Sequence, residues 1–121
     1  MANTFKVVTF AAEPNSAGTP YVVYTAGSGV TAVVLGLILT NINTAQVTAE
    51  GELVSDTGSR GGSNDVTNGT AFLAKDIPIP VGSSVELLSG NKVVLETTDQ
   101  IRIDCSVADK LSGALSVMEI T

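Results

Sequence analysis

Residues 101–107 read Ile101-Arg102-Ile103-Asp104-Cys105-Ser106-Val107, and their alternation decides the fold class. Side chains alternate with a period of two along an extended chain, so Ile101, Ile103, Cys105 and Val107 share one face and Arg102, Asp104 and Ser106 the other. The pattern predicts a strand with one face in a core. The same parity returns over residues 47–53, where Val47, Ala49, Gly51 and Leu53 oppose Thr48, Glu50 and Glu52. This reads as a second strand whose carboxylate-bearing outer face is solvated.

Working outward, further strands are expected at residues 5–10, 21–25, 31–41, 70–75, 84–88, 92–96 and 115–120, rich in Val, Ile, Thr and Ala. Their β-branched members favour a pleated, half-buried surface. Turn signals separate them at 13–20, 27–29, 43–45, 78–83, 89–91 and 97–100. Ser89-Gly90-Asn91 tolerates positive φ between two apolar runs, so residues 84–96 are expected to form a hairpin. Pro78 and Pro80 donate no ladder hydrogen bond, which puts residues 77–80 at a sheet edge or in an extended connection. Residues 32–39 (AVVLGLIL) are read as a buried strand, since about 20 residues are needed to span a membrane as a helix. Hardly any gap has room for a crossover helix. The expected architecture is all-β: a single antiparallel β-sandwich, jelly-roll-like or Greek-key, of about eight to nine short strands.

The chain has 121 residues, enough for one domain over 1–121, with an N-terminal strand and arm at 1–20 and a flexible loop at 55–69. That loop, SDTGSRGGSNDVTNG, is the one long stretch of low hydrophobicity, and its glycines and serines favour mobility over a binding tip. Charged residues are 15% of the chain, where about 25% is usual. Neutral, mildly apolar surface must therefore remain exposed, a composition suited to packing against other subunits. The formal net charge of -6 disfavours binding to phosphate backbones. The N-terminus MANTFKVVTF lacks the apolar core of a secretory signal.

Catalytic and metal chemistry finds little material. The chain has no histidine, which removes Ser-His-Asp and Cys-His mechanisms and the commonest transition-metal ligand. Its one cysteine, Cys105, forms no internal disulfide and lies on the inward face of its strand as an inert apolar side chain. Glu50 with Glu52, or Asp104 across a strand, is the only carboxylate pairing of a glycosidase kind, and with aromatics at 4% solvated strand faces are the better reading. Asp56, Asn64 and Asp65 lack the one-three-five spacing of a calcium loop, and Gly58, Gly61 and Gly62 the spacing of a phosphate cradle. Asn68-Gly69-Thr70 matches a glycosylation acceptor with no export signal beside it. No enzyme, cofactor, metal or small-molecule substrate is expected.

Residues 73–103, LAKDIPIPVGSSVELLSGNKVVLETTDQIRI, carry Ile79-Pro80-Val81-Gly82-Ser83, Glu86-Leu87-Leu88, Gly90, Lys92-Val93-Val94-Leu95-Glu96 and then Asp99 before an alternating strand. With the terminal SVMEIT, and Tyr24-Thr25-Ala26-Gly27 and Ala32-Val33-Val34 upstream of Asn41, this resembles the small virion structural proteins of tailed bacteriophages, including those infecting cyanobacteria. The resemblance runs over most of residues 21–121 and implies a virion protein, made in the host cytoplasm, of the head or the tail.

The expectation is a non-enzymatic capsid decoration or cement protein that binds the assembled head as a small oligomer, such as a trimer. Its partners are the major capsid protein and itself, with no nucleic acid and no membrane. The alternatives are a tail, baseplate or fibre-attachment subunit and, from another class, a carbohydrate- or receptor-binding adhesin using the 55–69 loop or Tyr21 and Tyr24. Partner-contacting residues are expected at Ala2, Asn3, Thr4 and Phe5, since chain ends reach onto neighbours, and at Arg60, Asn64 and Asp65 of the loop.

Overall fold

The computed structural model describes residues 2–55, 69–88 and 90–121. Nine strands run through them: β1 (Asn3–Glu13), β2 (Tyr21–Thr25), β3 (Thr31–Asn41), β4 (Val47–Ser55), β5 (Gly69–Ile79), β6 (Ser84–Glu86), β7 (Val93–Leu95), β8 (Gln100–Cys105) and β9 (Leu111–Ile120). One sheet has the order β1-β9-β3, with β6 and β7 both on the far side of β3; the other has the order β2-β8-β4-β5. Every pairing is antiparallel. When β6 and β7 are counted as one edge position, successive strands pass between two four-membered sheets in the order of a jelly roll. The expected all-β sandwich is therefore the observed architecture, though β1, β3 and β5 run to 11 residues each.

The core lies between the sheets and is built by the expected parity. Ile101, Ile103 and Cys105 of β8 and Val47 and Ala49 of β4 meet Leu37, Leu39, Leu115 and Val117 from the opposite sheet. Gly51 continues the β4 series because the Leu87 side chain fills the place where its Cβ would stand. On β3 the inward series changes parity. Ala32 and Val34 are buried, then Leu37 and Leu39, because the register with β9 shifts between Val34 and Gly36. A bulge spends one residue without pairing it and turns the following side chains over.

Asn41 ends β3 in the core, fully satisfied: its Nδ2 donates to the carbonyls of Ile79 at 2.8 Å and Ala45 at 3.0 Å, and its Oδ1 accepts from the Asn43 amide at 2.7 Å. The first of these bonds joins the two sheets.

Several expectations are corrected. Residues 84–96 are no hairpin: β6 pairs with Ile38 to Thr40, and β7 with Ala32 to Val34, so the two lie end to end along β3. The cause is the Glu86 carboxylate, which takes the Leu37 amide at 2.7 Å and the Leu88 amide at 3.2 Å and ends β6 after three residues. Residues 32–39 are not buried throughout, for Leu35 and Ile38 face solvent. The strand at 101–107 stops at Cys105, where Ser106 exchanges hydrogen bonds with Thr48 and the chain turns, leaving Val107 exposed. Residues 77–79 belong to the edge strand β5, as one of the two placements expected for them.

Candidate functional site

Among the described residues, the strands of the first sheet place no unpaired charge on its outer face. Register places Phe5 opposite Met118, Met118 opposite Val33, and Val33 opposite Val94. Cross-strand partners share a face, so these four apolar side chains form one row from β1 to β7. Their chain neighbours Val34, Leu95 and Val117 are buried on the core side, which fixes the row as outward. Two further rows flank it: Val7 with Ser116 beside Leu35, and Thr9 with Ala114 and Ile38. Phe5 is 71% exposed, Val7 63%, Val94 55% and Ile38 44%. Glu86, opposite Ile38, turns its carboxylate onto backbone amides. Gly36 makes room for it, since a Cβ there would stand 2.6 Å from Glu86 Oε1.

At the margin of this sheet Lys6 and Glu119 point toward the second sheet. Lys6 Nζ lies 2.7 Å from Glu119 Oε1, and the Tyr24 hydroxyl of β2 donates to Glu119 Oε2. The Lys6 bond first, then the Tyr24 bond, holds the Glu119 carboxyl below the ordinary glutamate range. Burial, reinforced by that carboxylate acceptor, pushes the Tyr24 hydroxyl well above the ordinary tyrosine value. The Lys6 and Glu119 charges are thus paired on the core side.

The outer face of the second sheet is the opposite in character. Glu52 is buried and meets Arg102 at 2.8 Å, and Glu50 meets Lys75 at 2.7 Å. The expectation of a freely solvated carboxylate face is corrected by these cations, which hold each glutamate separately. The hydrogen bond to Glu50 pushes the Lys75 ammonium up from its ordinary value, and its Nζ stands 4.8 Å over the Phe72 ring. Nearby, Glu50, Asp76, Asp104 and Gly18 line an open cavity of about 190 Å³. Asp104 Oδ1 there accepts the Gly18 and Cys105 amides, so its charge is engaged by the chain's own donors. Among the described residues no three His, Cys, Asp or Glu side chains are grouped to hold a metal ion. Cys105 is free and buried, and burial raises its thiol above the ordinary value.

Of the residues expected to touch a partner, Asn3, Thr4 and Phe5 lie on β1 at the edge of the first sheet, and Ala2 precedes them, exchanging backbone hydrogen bonds with Thr121. Arg60, Asn64 and Asp65, with Asp56, Asn68 and the glycines between, lie outside the described residues, as does the loop at 56–68. Val33, Leu35, Ile38, Val94 and Met118 complete the face and were not foreseen as surface. For Val33, Leu35 and Ile38 the signal was present in the apolar run at 32–39: in a two-layer sandwich each strand has one face outward, so alternate members of such a run must surface.

No family model matches the chain, and no curated protein matches it. One solved structure, reported as "Bacillus endospore appendages form a novel family of disulfide-linked pili", contains a chain similar to this one at 16% identity and TM-score 0.44, covering 98% of this chain and 84% of that one.

Proposed function

We propose that this protein is a non-enzymatic structural subunit that docks its uncharged outer sheet face onto a larger assembly, and that the assembly is a phage head, which it decorates and cements as a small oligomer. The observation that carries the docking reading is the unbroken apolar row of Phe5, Met118, Val33 and Val94, flanked by Val7, Leu35 and Ile38. Exposed apolar patches of that kind mark contact surfaces. The virion setting is supported by the sequence resemblance over residues 73–103, and the jelly-roll order is compatible with it.

The mechanism is area multiplied by copy number. A contact of standard size buries about 800 Å² per partner, and repetition across neighbouring shell subunits adds avidity against internal pressure. The paired charges of the second sheet then face solvent.

Quantitative mass spectrometry of purified virions tests the setting: a ratio near one copy per major capsid protein supports decoration, and a few copies per hundred, or absence, overturns it. Adding Val94→Lys protein to stripped shells tests the face. A lysine within a dry contact abolishes attachment, while unchanged attachment overturns the docking reading.

A further inference from the structure

The four sheet edges differ in how they are guarded against pairing with another chain. Edge strands expose unpaired backbone donors and acceptors, and proteins blunt them with bulges, prolines, charges or brevity. On β5 the edge carries Lys75, Asp76 at a φ of 50° and Pro78, and its register with β4 shifts twice. Five-residue β2 shifts register between Val22 and Tyr24. The β6 and β7 edge is broken into two strands of three residues.

Over its first eight residues β1 has one of these devices, the charge of Lys6, and none of the others. From Asn3 to Phe10 it pairs with Ile120 to Gly113 without a shift, and the irregularity comes only between Phe10 and Glu13. No acidic side chain falls between Asn3 and Ala12, and no proline. Lys6 is the one charge from Asn3 to Ala12, held by Glu119 at 2.7 Å. Phe5 and Val7 are the two most exposed large apolar side chains among the described residues, and both stand on this edge.

We infer that β1 is a self-pairing edge: two copies of this chain join antiparallel through Thr4 to Phe10 about a two-fold axis at Val7, merging their first sheets into one. The occupant is a second copy because an antiparallel strand pair is self-complementary under a two-fold, each residue meeting its own counterpart in reverse order. The pairing sets Val7 opposite Val7 and Phe5 opposite Thr9 on the outer face, and makes the apolar rows continuous across the dimer. It also brings two chains of net charge -6 together where neither presents an acidic group. The inference names the self-contact of the oligomer proposed above and rests on this chain's edges alone.

Sedimentation velocity on the full chain, from micromolar to sub-millimolar concentration, tests it. The expected result is a monomer–dimer equilibrium that Val94→Lys, on the far side of the sheet, leaves unchanged, and that Val7→Lys, placing two ammonium groups beside the axis, weakens at least tenfold. Amide hydrogen exchange on the unmodified chain needs no variant: alternate amides of β1 gain protection as concentration rises, and those on the β5 edge do not. A monomer throughout, a trimer, a dimer lost in Val94→Lys, or β1 amides indifferent to concentration overturns the inference. None of these outcomes depends on a phage head, so failure of attachment to shells and failure of self-pairing are read separately.

Discussion

Glu86 Oε2 accepts the Leu37 amide hydrogen at 2.7 Å, in the gap where the edge strand beside β3 is interrupted. A side chain thereby does the work of a missing ladder partner, and the Leu88 amide binds the same oxygen at 3.2 Å. The Leu37 carbonyl is taken by the Leu87 amide at 2.9 Å, so the interruption leaves the Leu37 backbone satisfied. Gly36 belongs to the same device, since its missing Cβ is what lets the carboxylate lie down.

Glu86→Ala orphans the Leu37 and Leu88 amides. The carboxylate is partly open to water, so the expected loss is at the low end for a charged hydrogen bond, about 1 to 2 kcal/mol. Urea unfolding followed by circular dichroism measures it as a lower midpoint with the slope retained. Glu86→Gln keeps one acceptor and recovers part of the loss. Gly36→Ala acts on the same contact from the other side and is expected to displace the carboxylate.

Acid lowers the stability of the Lys6, Glu119 and Tyr24 cluster with a definite sign. The folded-state carboxyl of Glu119 titrates below the ordinary value of 4.5, so the folded state binds this proton less readily than the unfolded chain does. Its contribution is complete above the ordinary value and is lost as pH falls through the folded value. Thermal melts between neutral pH and pH 3 are expected to flatten in Glu119→Gln relative to the unmodified chain. An identical pH profile for the two would remove Glu119 from this role.

Cys105 has little access to reagents. Burial both shields its sulfur and raises its thiol, leaving less thiolate for reaction. A disulfide reagent at pH 8 is expected to modify the native chain slowly and the urea-unfolded chain at once. Fast stoichiometric labelling of native protein would mean that β8 opens readily at its Cys105 end.

The inward parity of Ile101, Ile103 and Cys105 and of Val47, Ala49 and Gly51 was legible because these residues alternate onto the core, whereas Glu52 and Asp104 on the opposite face are buried by Arg102 and by the Gly18 amide. Legibility ended where tertiary contacts overrode local pattern. The bulge at Val34 to Gly36 reverses which members of an apolar run face the core, and periodicity cannot see a residue left unpaired. Ser89-Gly90-Asn91 has the composition of a hairpin turn, yet the flanking segments pair with β3, because Glu86 is bound to its backbone. The apolar face stayed hidden for a related reason: outward Val33 and Val94 have the same composition as inward Val34 and Leu95, and only strand register tells them apart.

Asn41 shows how strongly one polar side chain can tie the two sheets. It is 2% exposed, and its amide donates to the Ile79 and Ala45 carbonyls while its oxygen accepts from Asn43. Asn41→Leu leaves these backbone groups without partners in the core, an expected cost of about 2 to 4 kcal/mol. Asn41→Asp separates shape from hydrogen bonding. Two carbonyl oxygens then face a carboxyl, a site that favours the protonated form and raises its folded pKa above the unfolded value of about 3.9. That variant is expected to approach the unmodified chain below the unfolded value, where the proton is bound in both states, and to lose stability as pH rises from there. The slope is opposite in sign to that of Glu119, so the difference in urea midpoint between Asn41→Asp and the unmodified chain, taken at pH 3.5 and at pH 7, distinguishes the hydrogen-bond account from a simple packing defect, for which that difference would be equal at both.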